Sequence, residues 1–183
     1  MTPNSAAEGR SAPVIVVPYD SSWPDKFELE RQVLARVLKP WLAGPIEHVG
    51  STAIPGLDAK PVIDIMAAVE SLDASRPAIS AVEAAGYLYW PYKANIMHWF
   101  CKPSDVHRTH HLHLVPYASS LWKARLAFRN ALRADAQLAQ EYARLKHDLA
   151  RKYRDDREAY TQSKSVFVHQ VLESVGLAQA SEI

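Results

Sequence analysis

Val62-Ile63-Asp64-Ile65-Met66-Ala67-Ala68-Val69 is the stretch whose reading decides the fold. It is apolar except for one aspartate, so it reads as a strand buried on both faces. Side chains alternate along an extended chain. That puts Val62, Asp64 and Met66 on one face and Ile63, Ile65 and Ala67 on the other. A carboxylate in such a run is costly unless it meets a cation or accepts several hydrogen bonds. A partner arginine would make Asp64 structural; a bound metal ion would make it functional. The strand alone leaves both open.

Working outward, Ile46-Glu47-His48-Val49 reads as a short strand broken by Gly50. Residues 51–61 read as a loop punctuated by Pro55-Gly56 and Lys60-Pro61. A glycine and a serine after a strand let the backbone approach a ligand closely. Their N–H groups, with the Ser51 and Thr52 hydroxyls, can donate to phosphate oxygens. The same residues also end ordinary strands. Downstream lies Arg108-Thr109-His110-His111-Leu112-His113-Leu114-Val115, another strand candidate. Leu112 and Leu114 call for the core and take His110 to their face. His111 and His113 then share the opposite face. Neutral imidazoles ligate transition metals and protonated ones bind phosphate. A solvent-facing histidine pair without a role is the other reading.

The rest of the chain supplies the frame. Residues 1–13 read as a disordered lead-in, and Val14-Ile15-Val16-Val17 as a strand or extended arm stopped by Pro18. Ser22-Trp23-Pro24 opens a helix whose apolar face carries Phe27, Leu34, Val37 and Leu38, with Glu30 placed off that face. Residues 74–85 read as a helix stopped by Gly86. Residues 87–90 and 96–100 read as strands. Their aromatics, Tyr87, Tyr89, Trp90, Tyr92, Trp99 and Phe100, serve either the core or the stacking of a base. Residues 121–133, 135–152 and 158–177 read as helices. The last carries an apolar stripe that includes Lys164, and the mixed-charge run 151–158 reads as a solvated connection. The fold class is therefore α/β (α+β): a small mixed β-sheet with flanking helices and a helical C-terminal third. It forms one domain over residues 14–178.

Composition narrows the function. Formal net charge is +1, which supplies no global field for nucleic acid or an acidic membrane. Cys101 is the sole cysteine, so a disulfide within the chain and a cysteine-based zinc site are both excluded. No apolar run approaches the roughly 18 residues that span a bilayer. The expected location is the cytoplasm.

Several segments together resemble the GrpB-like family (UPF0157) of the nucleotidyltransferase superfamily. They are His48-Val49-Gly50-Ser51-Thr52-Ala53-Ile54-Pro55-Gly56-Leu57, Ala59-Lys60-Pro61-Val62-Ile63-Asp64-Ile65 and His110-His111-Leu112-His113-Leu114-Val115. Val17-Pro18-Tyr19-Asp20, Trp23-Pro24 and Leu126-Ala127-Phe128-Arg129 add to them. The resemblance implies the nucleotidyltransferase-like small mixed sheet. It also implies phosphate contacts at Gly50 and Ser51 and a metal ligand at Asp64. Family members fused to dephospho-coenzyme A kinases imply a link to coenzyme A metabolism. This sequence departs from the superfamily where a second acid would stand, at Met66. A thioether is a poor ligand for Mg²⁺, whereas Zn²⁺, Mn²⁺ or Fe²⁺ accept imidazole. Glu47 and Asp58 are the substitute carboxylates on offer.

Three functions fit these residues. The first is a metal-dependent transferase that moves a nucleotidyl group from a nucleoside triphosphate to a small acceptor. There Asp64, His111 and His113 form the catalytic and metal-binding group, and Gly50, Ser51, Thr52, Lys60, Arg108 and Lys164 hold the nucleotide's phosphates. The second is a different enzyme with a transition metal on Asp64, His111 and His113. The third is a degenerate module that binds a nucleotide or coenzyme without chemistry. Partners are a small-molecule or nucleotide substrate, not nucleic acid and not a membrane.

Overall fold

The computed structural model describes residues 12–177. The expected disorder at 1–11, and the last residue of the expected 14–178 domain, lie outside the described residues. Five strands form one mixed sheet: β1 (Leu42–Val49), β2 (Ile63–Val69), β3 (Leu88–Trp90), β4 (His98–Pro103) and β5 (Arg108–Pro116). Their order is β1-β2-β5-β4-β3. β2 and β5 run parallel, and every other neighbouring pair runs antiparallel. The apolar β2 thus lies between two strands, as a run greasy on both faces requires.

Alternation sorts the side chains onto two cores. Ile63, Ile65, Ala67 and Val69 join Phe100, Leu112 and Leu114 on one face. Helices α1 (Trp23–Val37) and α3 (Ala78–Ala84) cover it with Trp23, Leu34, Ala78 and Val82. Met66 and Ala68 join Trp99, Cys101 and Val115 on the other. There α4 (Ser120–Ala134) packs through Leu121 and Trp122. The remaining helices, α5 (Ala136–Lys152), α6 (Arg157–Gln162) and α7 (Ser165–Ser174), extend that second layer. Tyr142 and Val171 pack there with Ile54, Leu57 and Leu132. Among the described residues no helix is long and apolar enough to cross a membrane.

Several elements differ from the sequence reading. β1 begins at Leu42, four residues early, with its register broken between Leu42 and Ile46. Gly44 and Pro45 sit in that break. A Cβ at residue 44 would stand 2.9 Å from the Tyr117 ring, so only glycine passes. The helix expected over 74–85 is two helices, α2 (Leu72–Ser75) and α3, because Pro77 has no N–H to continue the ladder. The helix expected over 158–177 breaks at Ser163-Lys164 into α6 and α7, and Lys164 stands at the break with its Nζ over the Tyr160 ring. Val14–Val17 forms no strand; Val17 makes a single bridge to Ala59. Ala12 and Pro13, expected to be disordered, line a cavity beside Lys60. Glu30 does not face solvent. It is buried, pairs with Lys102 at 2.6 Å and accepts from the Tyr87 hydroxyl at 2.8 Å.

Candidate functional site

The parallel ladder sets Asp64 opposite His111 and Met66 opposite His113. All four side chains then share one face of the sheet. His111 Nδ1 donates to Asp64 Oδ1 at 2.9 Å, and His113 Nε2 lies 3.9 Å from the same oxygen. One ligand atom from each of the three residues falls within 4.8 Å of the others. His111 Nε2 is buried without a hydrogen-bond partner. His113 Nδ1 lies 3.4 Å from Met97 Sδ, a weak acceptor. Among the described residues no lysine or arginine nitrogen comes within ion-pair distance of Asp64, so the arginine-clamp reading of that carboxylate does not apply.

Protonation follows from burial. Burial opposes the Asp64 charge, but the hydrogen bond from His111 and the nearby His113 ring outweigh it and hold the carboxyl well below its ordinary range. Burial lowers His111 against the pull of Asp64. Burial and then the nearby Arg125 charge take His113 down to about 3. At neutral pH the group is thus one carboxylate and two neutral imidazoles, the state in which all three can ligate a cation. One oxygen and two nitrogens fit Zn²⁺ or Mn²⁺ better than Mg²⁺, which favours oxygen.

Gly50 closes this group from above. Its φ is +70° with ψ −173°, a region essentially reserved for glycine. A Cβ there would strike the Asp64 carboxylate and stand 2.9 Å from its Cβ. The chain then makes a single 3-10 turn, Ser51–Ala53. Ser51 lies close to the Tyr142 hydroxyl. Thr52 is buried, and its hydroxyl donates to the Val62 carbonyl at 3.1 Å while His48 Nε2 approaches at 3.0 Å. Thr52 therefore ties the turn to β2 and does not present its hydroxyl to the cleft.

The cations expected to meet phosphate divide into two groups. Lys60 and Lys164 flank the Tyr160 ring, with Nζ 5.4 Å and 4.4 Å from its centroid. Burial is the main reason each is lowered to about 8; Arg157 adds to it at Lys60, and Lys60 adds to it at Lys164. Arg108 is engaged differently: it pairs with Asp105 and lies 5.0 Å from the Trp99 ring centroid. Glu47 and Asp58 stand apart from Asp64, bound to Arg129 at 2.7 Å and His147 at 2.9 Å. Met66 is wholly buried in the core.

Sequence reading missed Arg125 and Arg157. Arg125 comes from α4 to the neighbourhood of Met97 and His113, its Nη2 4.0 Å from Met97 Sδ. Its signal was present in the sequence, since Leu121, Arg125, Arg129 and Leu132 follow one another at helical spacing on the buried side. Arg157 stands at the start of α6, in the run read as a solvated connection; it lines the cavity next to Arg108.

A five-stranded mixed sheet with helices on both faces and a carboxylate–imidazole cluster between two parallel strands makes this a mixed α/β protein with a candidate metal centre. The chain belongs to the GrpB family, whose model, described as GrpB protein, matches residues 13–174. A UPF0157 protein of Pseudomonas aeruginosa is 40% identical over 162 residues, covering 86% of this chain. The glutamate-rich protein GrpB of Alkalihalophilus pseudofirmus is 35% identical over 164 residues, covering 87% of this chain and 94% of its own length. This chain spans 65% of the Pseudomonas protein and 45% of the Bacillus subtilis relative YqkA. The crystal structure of GrpB from Enterococcus faecalis superposes with a TM-score of 0.79 at 32% identity, over 87% of this chain and 96% of that one. A dephospho-CoA kinase of Mycobacterium bovis is 41% identical over 81 residues, 42% of this chain and 19% of that protein.

Proposed function

We propose that the chain is a metal-dependent nucleotidyltransferase, moving a nucleotidyl group from a nucleoside triphosphate to a small acceptor. One observation carries this reading: Asp64, His111 and His113 converge directly under the Gly50 backbone, with Lys60 and Lys164 nearby. A divalent cation on that trio would polarise the phosphoryl oxygens as a Lewis acid. Asp64 supplies the negative ligand, and two neutral imidazoles favour a transition metal. The His111–Asp64 hydrogen bond fixes that ring and leaves Nε2 as its one free lone pair, the atom through which His111 would hold the cation. Lys60 and Lys164 offset the charge that grows on the departing pyrophosphate. Gly50 lets the nucleotide's phosphates approach the carboxylate without a side chain between them, and Ser51 borders the same turn. A nucleoside-triphosphate substrate fits work in the cytoplasm, and the partial likeness to a dephospho-CoA kinase favours a coenzyme-related acceptor.

Met66 favours a second reading. The second acid of the superfamily pair is here a fully buried thioether, which fits a module that binds a nucleotide or coenzyme without turning it over. The two separate in one experiment. Nucleoside triphosphates are incubated with the protein and Mg²⁺, Mn²⁺ or Zn²⁺, while pyrophosphate release and thermal stability are both followed. Metal-dependent release that Asp64→Asn removes supports the transferase. Thermal shifts indifferent to metal, without release, support the binder. Absence of any nucleotide response contradicts both.

A further inference from the structure

Beside the metal-binding group, sharing Lys60 and His111 with it, lies a cavity of about 200 Å³ whose other lining residues have no role so far. Its floor is Pro61, Val62 and His111, and its wall is the N-terminal segment at Val14 and Ile15. That wall is held in place. Val14 N donates to the Arg154 carbonyl at 2.7 Å, and Val17 pairs with Ala59 at 2.9 and 3.0 Å. Three cations line the cavity, Lys60, Arg108 and Arg157, and none of the described lining residues is acidic.

The cations are poorly compensated. Asp105 neutralises Arg108 from outside the cavity, with its carboxylate bound to that guanidinium. Among the described residues Arg157 hydrogen-bonds the Asp105 carbonyl alone, at 3.5 Å. Lys60 meets the Tyr160 ring face. Two guanidiniums and an ammonium line this half-open space against the single carboxylate of Asp105, so a further anion would be attracted to it. Guanidiniums present flat pairs of donors matched to the oxygens of carboxylate or phosphate. The space is half open, with room for the anionic end of a small molecule. Neither Gly50 nor Ser51 lines it, so it is separate from the turn assigned to the nucleotide.

We propose that this cavity binds the oxyanion of a small molecule, phosphate or carboxylate, through Arg157, Arg108 and Lys60. Under the transferase reading, on which only this assignment rests, that molecule is the acceptor. Its anionic end sits among the three cations and its nucleophilic end reaches His111. Arg157 thereby becomes a residue for acceptor recognition.

The test measures binding of inorganic phosphate and of succinate to the whole chain, by thermal shift and calorimetry, against sodium chloride of equal ionic strength. Saturable binding of either supports the cavity; phosphate the tighter indicates a phosphorylated partner, succinate as tight a carboxylate. Arg157→Gln should weaken it about tenfold, the scale of one charge-assisted contact. Arg157→Lys should restore part of it, which a merely misfolded variant would not. Nucleotide binding should be unchanged in Arg157→Gln, and phosphate binding unchanged in Asp64→Asn. No saturable binding beyond chloride, or Arg157→Gln binding like the wild type, overturns the proposal. Equal loss of nucleotide binding in Arg157→Gln overturns it too, because the cavity would then hold the nucleotide's own phosphates. Intact phosphate binding in a protein that turns over no nucleotide leaves the cavity standing and refutes the transferase reading alone.

Discussion

Each face of the sheet carries a carboxylate, Glu30 buried and Asp64 partly buried with 29% of its side chain exposed, and the two are treated in opposite ways. On the α1 face Glu30 is clamped by Lys102 at 2.6 Å and by the Tyr87 hydroxyl at 2.8 Å. Its charge is met by a full charge. On the α4 face the ion-pair partners of Asp64 among the described residues are two imidazoles, and burial keeps them neutral. The first arrangement closes a polar group inside a core. The second leaves a negative charge short of positive partners and a ring nitrogen, His111 Nε2, with none. A buried pair that is fully matched does structural work. A partly exposed acid held by neutral rings is open to a ligand.

This contrast breaks most readily by mutation. The largest effect is expected at Lys102→Met, which strands the Glu30 charge. A stability loss of about 3 kcal/mol by chemical denaturation is predicted, with metal binding untouched. Gly50→Ala should cost a similar amount, about 3 kcal/mol, through its backbone conformation and the collision with Asp64; it should also weaken metal uptake. Asp64→Asn is predicted to behave inversely to Lys102→Met. Stability should fall by no more than about 1 kcal/mol, since the amide oxygen still accepts from His111 and the side chain is partly exposed, while metal binding disappears. If Asp64→Asn instead destabilises as much as Lys102→Met, the two faces are not different in kind.

The pH dependence sharpens the same point with smaller effects. His113 is lowered to about 3 and His48 to about 4, both chiefly by burial, while in the unfolded chain each titrates near 6.5. Below 6.5 the unfolded state binds more protons, so stability should fall as pH drops from about 6.5 toward 4. On the alkaline side Lys60 and Lys164 sit at about 8 and Lys146 at about 7, against 10.5 unfolded. The unfolded state again holds more protons above those values. Their contribution to stability should therefore rise between about pH 8 and 10, as measured by denaturant midpoints across a pH series.

Much of this was legible in the chain. An aspartate alone in an apolar strand, a Gly-Ser turn before it and two alternating histidines after it named the cluster. Alternation alone placed His111 and His113 on one face and Leu112 with Leu114 on the other. Alternation could not supply the partner of β2, and it is the parallel register of β5 that puts His111 beside Asp64. Glu30 was misplaced because a helical stripe counts charges as solvent-facing, and its partner Lys102 stands far along the chain. The break before α3 was written in Pro77; that at Ser163-Lys164 had no comparable marker. Arg157 escaped because a mixed-charge run looks solvated until the fold brings it against Arg108.

The most direct test is the metal content of the protein, stripped and then dialysed against equal Zn²⁺, Mn²⁺ and Mg²⁺. It would be read by elemental analysis beside Asp64→Asn and His113→Ala. About one equivalent of Zn²⁺ or Mn²⁺ in the parent, lost in both variants that remain folded, is the predicted result. A parent that takes up no metal, or variants that retain it in full, would contradict the account.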